Sequence, residues 1–240
     1  STRPSREQIG PCRHNAVLCD GSMIVFTSDR DGLTAYYGCL TEGGELVKFL
    51  PDAVSNAYGA VVSRYRPLLY LLRKRSLFSW QITQTRTEQS TVVNVQEKKL
   101  GEIPEGYSLL EPMTESGDGR CLSLLLQDQV DEAAVAAFFI ETGELRFLAR
   151  GLAGASRLQF SPYDATSLLF LGRDDPSAVW LLDTSSQPAR LLRALTGTQS
   201  FGHVQWRPHD RIALLTSDQH SAAALERIST RSGHSDSGKV

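Results

Sequence analysis

Five times along this chain a tight polar turn is followed by an apolar run. The first reads Cys19-Asp20-Gly21-Ser22-Met23-Ile24-Val25-Phe26-Thr27-Ser28-Asp29-Arg30-Asp31-Gly32. The others open at Ser63-Arg64-Tyr65-Arg66-Pro67, Ser116-Gly117-Asp118-Gly119, Ser161-Pro162-Tyr163-Asp164 and Arg207-Pro208-His209-Asp210. The apolar runs behind them are 23–26, 68–72, 121–126, 168–171 and 212–215. The turn positions Asp20, Arg66, Asp118, Asp164 and Asp210 stand 46, 52, 46 and 46 residues apart. A period of that length with several short strands per unit predicts an all-β chain, a β-propeller of four-stranded antiparallel blades. Four blades are clear and the fifth is partial.

Composition narrows the function classes. The 240 residues contain 41% apolar side chains, enough to bury a substantial core. A formal net charge of −2 gives no electrostatic footprint for nucleic acid or an anionic membrane. No apolar stretch approaches the roughly 20 residues that a membrane helix needs. Ser1-Thr2-Arg3-Pro4-Ser5-Arg6 has no apolar core of a signal peptide, so the expected location is cytoplasmic, with the periplasm as the alternative. Cys12, Cys19, Cys39 and Cys121 fit no zinc spacing; they read as four thiols, with a Cys12–Cys19 disulfide as the minority reading.

Residues 1–12 read as a polar arm, 13–220 as the propeller domain and 221–240 as a polar, disordered tail. Within that last stretch 222–228 reads as a short helix. The Ala-rich stretch 131–137 reads as a strand, because it runs into a Gly turn. Asp29, Asp31, Asp174 and Asp175 recur at turn places, so turn-making is their expected duty. Trp80, Trp180 and Trp206 fall on strands of separate blades, where core packing is the default and sugar stacking the weaker alternative. No G-x-S-x-G elbow supports an esterase or peptidase, and no Gly-rich phosphate loop follows a strand.

The phrase Val25-Phe26-Thr27-Ser28-Asp29-Arg30-Asp31-Gly32 resembles the repeat of TolB-type propellers, a fold signal that says little about chemistry. A longer run of phrases resembles the oligogalacturonate lyases, the seven-bladed propellers of pectin breakdown. Leu100-Gly101-Glu102-Ile103-Pro104-Glu105-Gly106-Tyr107, Leu158-Gln159-Phe160-Ser161-Pro162-Tyr163-Asp164 with Val179-Trp180-Leu181-Leu182-Asp183, and Gly202-His203-Val204-Gln205-Trp206-Arg207-Pro208 carry it. The resemblance covers roughly residues 10–220 at the level of blades.

That resemblance implies β-elimination on oligogalacturonides, with a divalent metal, manganese, and arginine stabilising the enediolate. Carried onto this chain, His203 takes the place of the central metal-binding His. Gln205 falls where a second His is expected, and Ser200 where an amide ligand is expected. Arg157 falls where a further His precedes an apolar strand, and could clamp a uronate carboxylate. Arg13 and His14, with Asn15, resemble a His/Arg/Asn cluster of the first blade. Each has a plainer reading: His203 as a channel or turn residue, Arg157 as a solvated strand start, Arg13 and His14 as part of the arm. His209, His220 and His234 read as bystanders. The expected partner is an oligogalacturonide or another uronate-containing sugar, and an open propeller edge makes self-association an expectation. The alternative function is a non-catalytic scaffold that binds a protein or a sugar.

Overall fold

The computed structural model describes residues 7–9, 16–32, 35–49, 60–87, 90–172, 178–194, 200–208, 211–218, 221–229 and 235–239. All of the regular structure among them is β, and no helix occurs. The chain divides into two compact units, Ser1–Met113 with Thr142–Glu144, and Thr114–Glu141 with Leu145–Val240.

The first unit holds two four-stranded antiparallel sheets, each made from consecutive strands. One runs β1 (Glu7–Ile9), β2 (Met23–Ser28), β3 (Ala35–Leu40) and β4 (Leu46–Lys48). The other runs β5 (Val61–Val62), β6 (Leu68–Arg73), β7 (Ser76–Arg86) and β8 (Thr91–Glu102). The short β9 (Ser108–Leu109) follows. The stretch expected as an arm thus contributes a strand, because residues 7–9 complete the ladder beside β2. The β2–β3 hairpin turns at Gly32, whose φ of +89° suits a residue without Cβ, and its N–H bonds the Asp29 carbonyl at 2.8 Å.

The core of this unit lies between the two sheets. Met23, Val25, Tyr36, Leu40 and Phe49 meet Val62, Leu69, Leu71, Trp80 and Ile82. Trp80 is fully buried, and the rings of Tyr36 and Phe49 meet it edge-on with centroids 5.7 and 6.5 Å away. A buried indole needs an acceptor, and its Nε1 donates to Glu97 Oε2 at 2.8 Å. Arg73 Nη2 donates to the other oxygen of that carboxylate at 2.9 Å. Partial burial pushes the Glu97 pKa up, but the Trp80 and Arg73 bonds outweigh it and leave it lowered.

The second unit holds three antiparallel sheets, each with consecutive strands in its main order. They are β10 (Thr114–Glu115), β11 (Cys121–Gln127), β12 (Ala133–Phe139) and β13 (Glu144–Leu152); β14 (Ser156–Phe160), β15 (Ser167–Gly172), β16 (Ala178–Asp183) and β17 (Ser186–Ala194); and β18 (Ser200–Arg207), β19 (Arg211–Asp218), β20 (Ser221–Ser229) and β21 (Ser235–Lys239). The expected tail and the helix at 222–228 are therefore corrected: β20 pairs with β19 and β21 pairs with β20. The backbone groups of β19 need a partner strand, and that demand overrides the weak strand pattern of an Ala- and Ser-rich stretch. The fifth repeat is thereby a full four-stranded sheet.

The sequence period becomes visible as hydrogen bonds between sheets. Phe160 N–H donates to Thr114 Oγ1 at 2.7 Å across 46 residues, and Gln159 Nε2 donates to the Val204 carbonyl at 3.3 Å across 45. Trp206 Nε1 returns to the Gln159 carbonyl at 3.5 Å across 47. Gly117 N–H meets the Asp164 carbonyl at 3.0 Å. The repeated Asp residues close their turns locally: Asp20 Oδ1 accepts Ser22 N–H at 3.0 Å, Asp118 Oδ1 accepts Arg120 N–H at 3.1 Å, and Asp164 Oδ1 accepts Ser167 N–H at 2.6 Å. Asp31 does more than turn: it bonds Lys48 and the Tyr37 hydroxyl, each at 2.8 Å. Asp174 and Asp175 lie outside the described residues.

Two outcomes follow from this packing. A Cβ at position 117 would stand 2.3 Å from the Asp164 carbonyl oxygen, so Gly117→Ala must push backbone apart. A loss of about 2 kcal/mol or more is expected, read as a lower thermal midpoint. Glu97 has a lowered folded pKa, so its contribution is present above its ordinary 4.5 and fades as pH falls through the folded value. Acid titrations should show the stability gap between the native chain and Glu97→Gln closing below about pH 4; a gap that stays constant there would contradict the assignment.

Candidate functional site

The described candidate residues sit on two strands of the second unit, β14 and β18. Both are first strands of their sheets. Leu158, Gln159 and Phe160 of β14 are buried, as are Val204 and Trp206 of β18. The Gln159 carboxamide and the Trp206 indole tie the two strands together in both directions. Arg157 lies two residues before Gln159, while His203 and Gln205 flank Val204, so the same contact that seals the core brings these positions into one neighbourhood.

Both strands are irregular at equivalent places. The β14–β15 register shifts between Ser156 and Gln159, and the β18–β19 register shifts between Phe201 and His203. Shifting residue 157 by the 46-residue period gives 203, so Arg157 and His203 hold the same place in successive repeats. Arg157 has φ +62°, the left-handed region, which an arginine adopts only where its surroundings impose it. Bulges redirect a side chain out of the regular pleat and are common beside binding sites. Arg157 itself is half-buried. The paired irregularity is the feature that sequence reading did not find; the signal was available in the period applied to Arg157.

Of the other candidates, Gln205 is exposed and pairs with Ala213 across the ladder. His203 pairs with Leu215 and Ser200 with Ser217. Arg13 and His14 lie outside the described residues, as do His209, His220 and His234. The tryptophans pack: Trp80 and Trp206 are buried, and Trp180 stacks on Phe170 with centroids 6.4 Å apart. Cys19, Cys39 and Cys121 carry free thiols, and Cys12 lies outside the described residues. Burial raises the Cys121 thiol to about 11, with Asp118 adding to the shift, so it is inert near neutrality.

No family model matches the chain, and no curated protein matches it. Solved structures do. An oligogalacturonate lyase in complex with manganese superposes with a TM-score of 0.82 at 14% identity, covering 97% of this chain and 66% of that one. An oligogalacturonate lyase from Vibrio parahaemolyticus gives 0.81 at 15% identity, covering 98% and 66%. A putative TolB from Agrobacterium tumefaciens gives 0.60 at 11% identity, covering 98% and 81%. The likeness establishes a β-propeller-like fold. The chain spans just under two thirds of the length of the two lyases.

The donors present do not fit a metal of the lyase kind. Among the described residues no group of three His, Cys, Asp or Glu side chains converges. The amide of Gln205 and the hydroxyl of Ser200 are neutral and weak donors beside an imidazole. His203 is left as the one strong donor of that set.

The link between the strands is open to a direct check. Gln159→Leu leaves the buried Val204 carbonyl without its side-chain donor, and a loss of about 1–3 kcal/mol is expected in chemical denaturation. A variant as stable as the native chain would mean that the carboxamide does not hold β14 against β18.

Proposed function

We propose that this chain is a sugar-acid-binding propeller related in fold to the oligogalacturonate lyases, and that it takes short oligogalacturonides. Supporting this reading above all is the placement of Arg157: a guanidinium on an irregular, left-handed position of a first strand, beside the strand that carries His203 and Gln205. A uronate presents a carboxylate on every sugar, and guanidinium is the side chain that grips a carboxylate through two parallel N–H donors. Exposed Gln205 offers an amide to sugar hydroxyls. The higher TM-scores with the two lyases than with TolB favour this ligand class over a protein-binding scaffold.

Turnover is a second reading, favoured by the likeness to the manganese-bound lyase and by the imidazole at position 203. Elimination beside a carboxylate needs a base and strong positive charge on the developing enediolate. The donors described above do not assemble a metal site, so no catalytic step is assigned to them.

Calorimetric titration with a short oligogalacturonide tests the primary reading. Binding is expected, and Arg157→Ala should weaken it about tenfold or more, the worth of a charge-assisted pair. Arg157→Lys should recover only part of it, because an ammonium cannot form the two-pronged contact. Absence of heat at millimolar sugar would overturn the proposal. Absorbance of an unsaturated product that grows with added manganese would move the assignment to the lyase.

A further inference from the structure

One place in the repeat joins each sheet of the second unit to the next. Ser116 and Ser161 hold the same ladder position, since the N–H of each bonds a carbonyl at the start of the facing strand, those of Cys121 and Ser167. Two residues before them stand Thr114 and Gln159. Both bond the backbone of the following sheet's first strand. Thr114 Oγ1 accepts the Phe160 N–H at 2.7 Å, and Gln159 Nε2 donates to the Val204 carbonyl at 3.3 Å. Gln159 is only 8% exposed, so loss of that acceptor would leave an amide buried without its partner.

Gln159 also closes an irregular stretch of β14. Leu171 lies opposite Ser156 and Leu169 lies opposite Gln159, so Arg157 and Leu158 share the single residue Phe170. Two residues against one make a β-bulge. Where such a bulge needs a left-handed residue, glycine is the usual occupant, because it has no Cβ to clash. Here the left-handed residue is Arg157, with φ +62°. The bulge is bounded by Ser156 on one side and Gln159 on the other, and Gln159 carries the bond to β18.

We infer that Gln159 is a positioning residue for the sugar-acid site: its bond to the Val204 carbonyl sets the bulge against β18 and keeps Arg157 in the left-handed conformation that presents its guanidinium to the ligand carboxylate. The inference rests on the reading of Arg157 as the carboxylate clamp. Gln159 does not touch the sugar and acts on it only through Arg157. Arginine at 157 then serves binding at the expense of stability, since glycine would suit the same backbone better.

The test is a double-variant cycle read in two ways. Calorimetric titration with a short oligogalacturonide compares the native chain, Gln159→Met, Arg157→Ala and the two changes combined. Methionine keeps the length of the side chain and removes the donor. Gln159→Met should weaken binding about fivefold or more in the native background and cost nothing further beside Arg157→Ala. Circular dichroism of each variant should match that of the native chain. Thermal unfolding supplies a readout that needs no sugar. Arg157→Gly, which relieves the left-handed conformation, should raise the midpoint by about 2–4 °C in the native chain and leave that of Gln159→Met nearly unchanged. Gln159→Asn, with the same amide on a shorter arm, takes the place of Gln159→Met if methionine prevents folding. Native-like binding by Gln159→Met, equal losses in both backgrounds, or the same midpoint gain with and without the carboxamide would each overturn the inference. A native chain that binds no sugar would defeat the carboxylate reading instead, and the midpoints would still decide whether Gln159 sets the conformation of residue 157.

Discussion

Each sheet here is too small to be stable alone, and the structure depends on how one sheet seals the next. In the second unit the seal is polar as well as apolar. Thr114 receives the Phe160 N–H, and Gln159 reaches the Val204 carbonyl, each about one repeat away. These bonds satisfy backbone groups that would otherwise be buried without partners. In the first unit Trp80 does the equivalent task through its ring, with Glu97 and Arg73 completing the polar end.

The candidate site is a by-product of that sealing. Residues that lock β14 to β18 leave Arg157 and His203 at matched irregularities, so the candidate positions are set by the core packing beside them. A left-handed arginine costs conformational energy. Among the described residues no group of three His, Cys, Asp or Glu side chains converges as a metal ion would require.

Much of the fold was legible because turns are local. Asp20, Asp118 and Asp164 bond backbone N–H groups within three residues, so their spacing could be read before any contact was known. The Ala-rich β12 was also legible, from the Gly turn after it. The strands β1, β20 and β21 were not. Glu7–Ile9 and Ser235–Lys239 have little intrinsic strand character and are strands because a neighbour supplies the ladder. Within the site, sequence named Arg157, His203, Gln205 and Ser200 through family resemblance. It could not see that Gln159 is the tie between the strands.

By itself the sequence determined the all-β class, the 46-residue module and the turn that begins each one, since these follow from hydrogen bonds between residues close in the chain. Only the tertiary structure decided which strands completed the sheets and where the ladder slipped around Arg157. Those outcomes depend on partners one repeat or more away, and a local pattern carries no information about the backbone that will lie beside it.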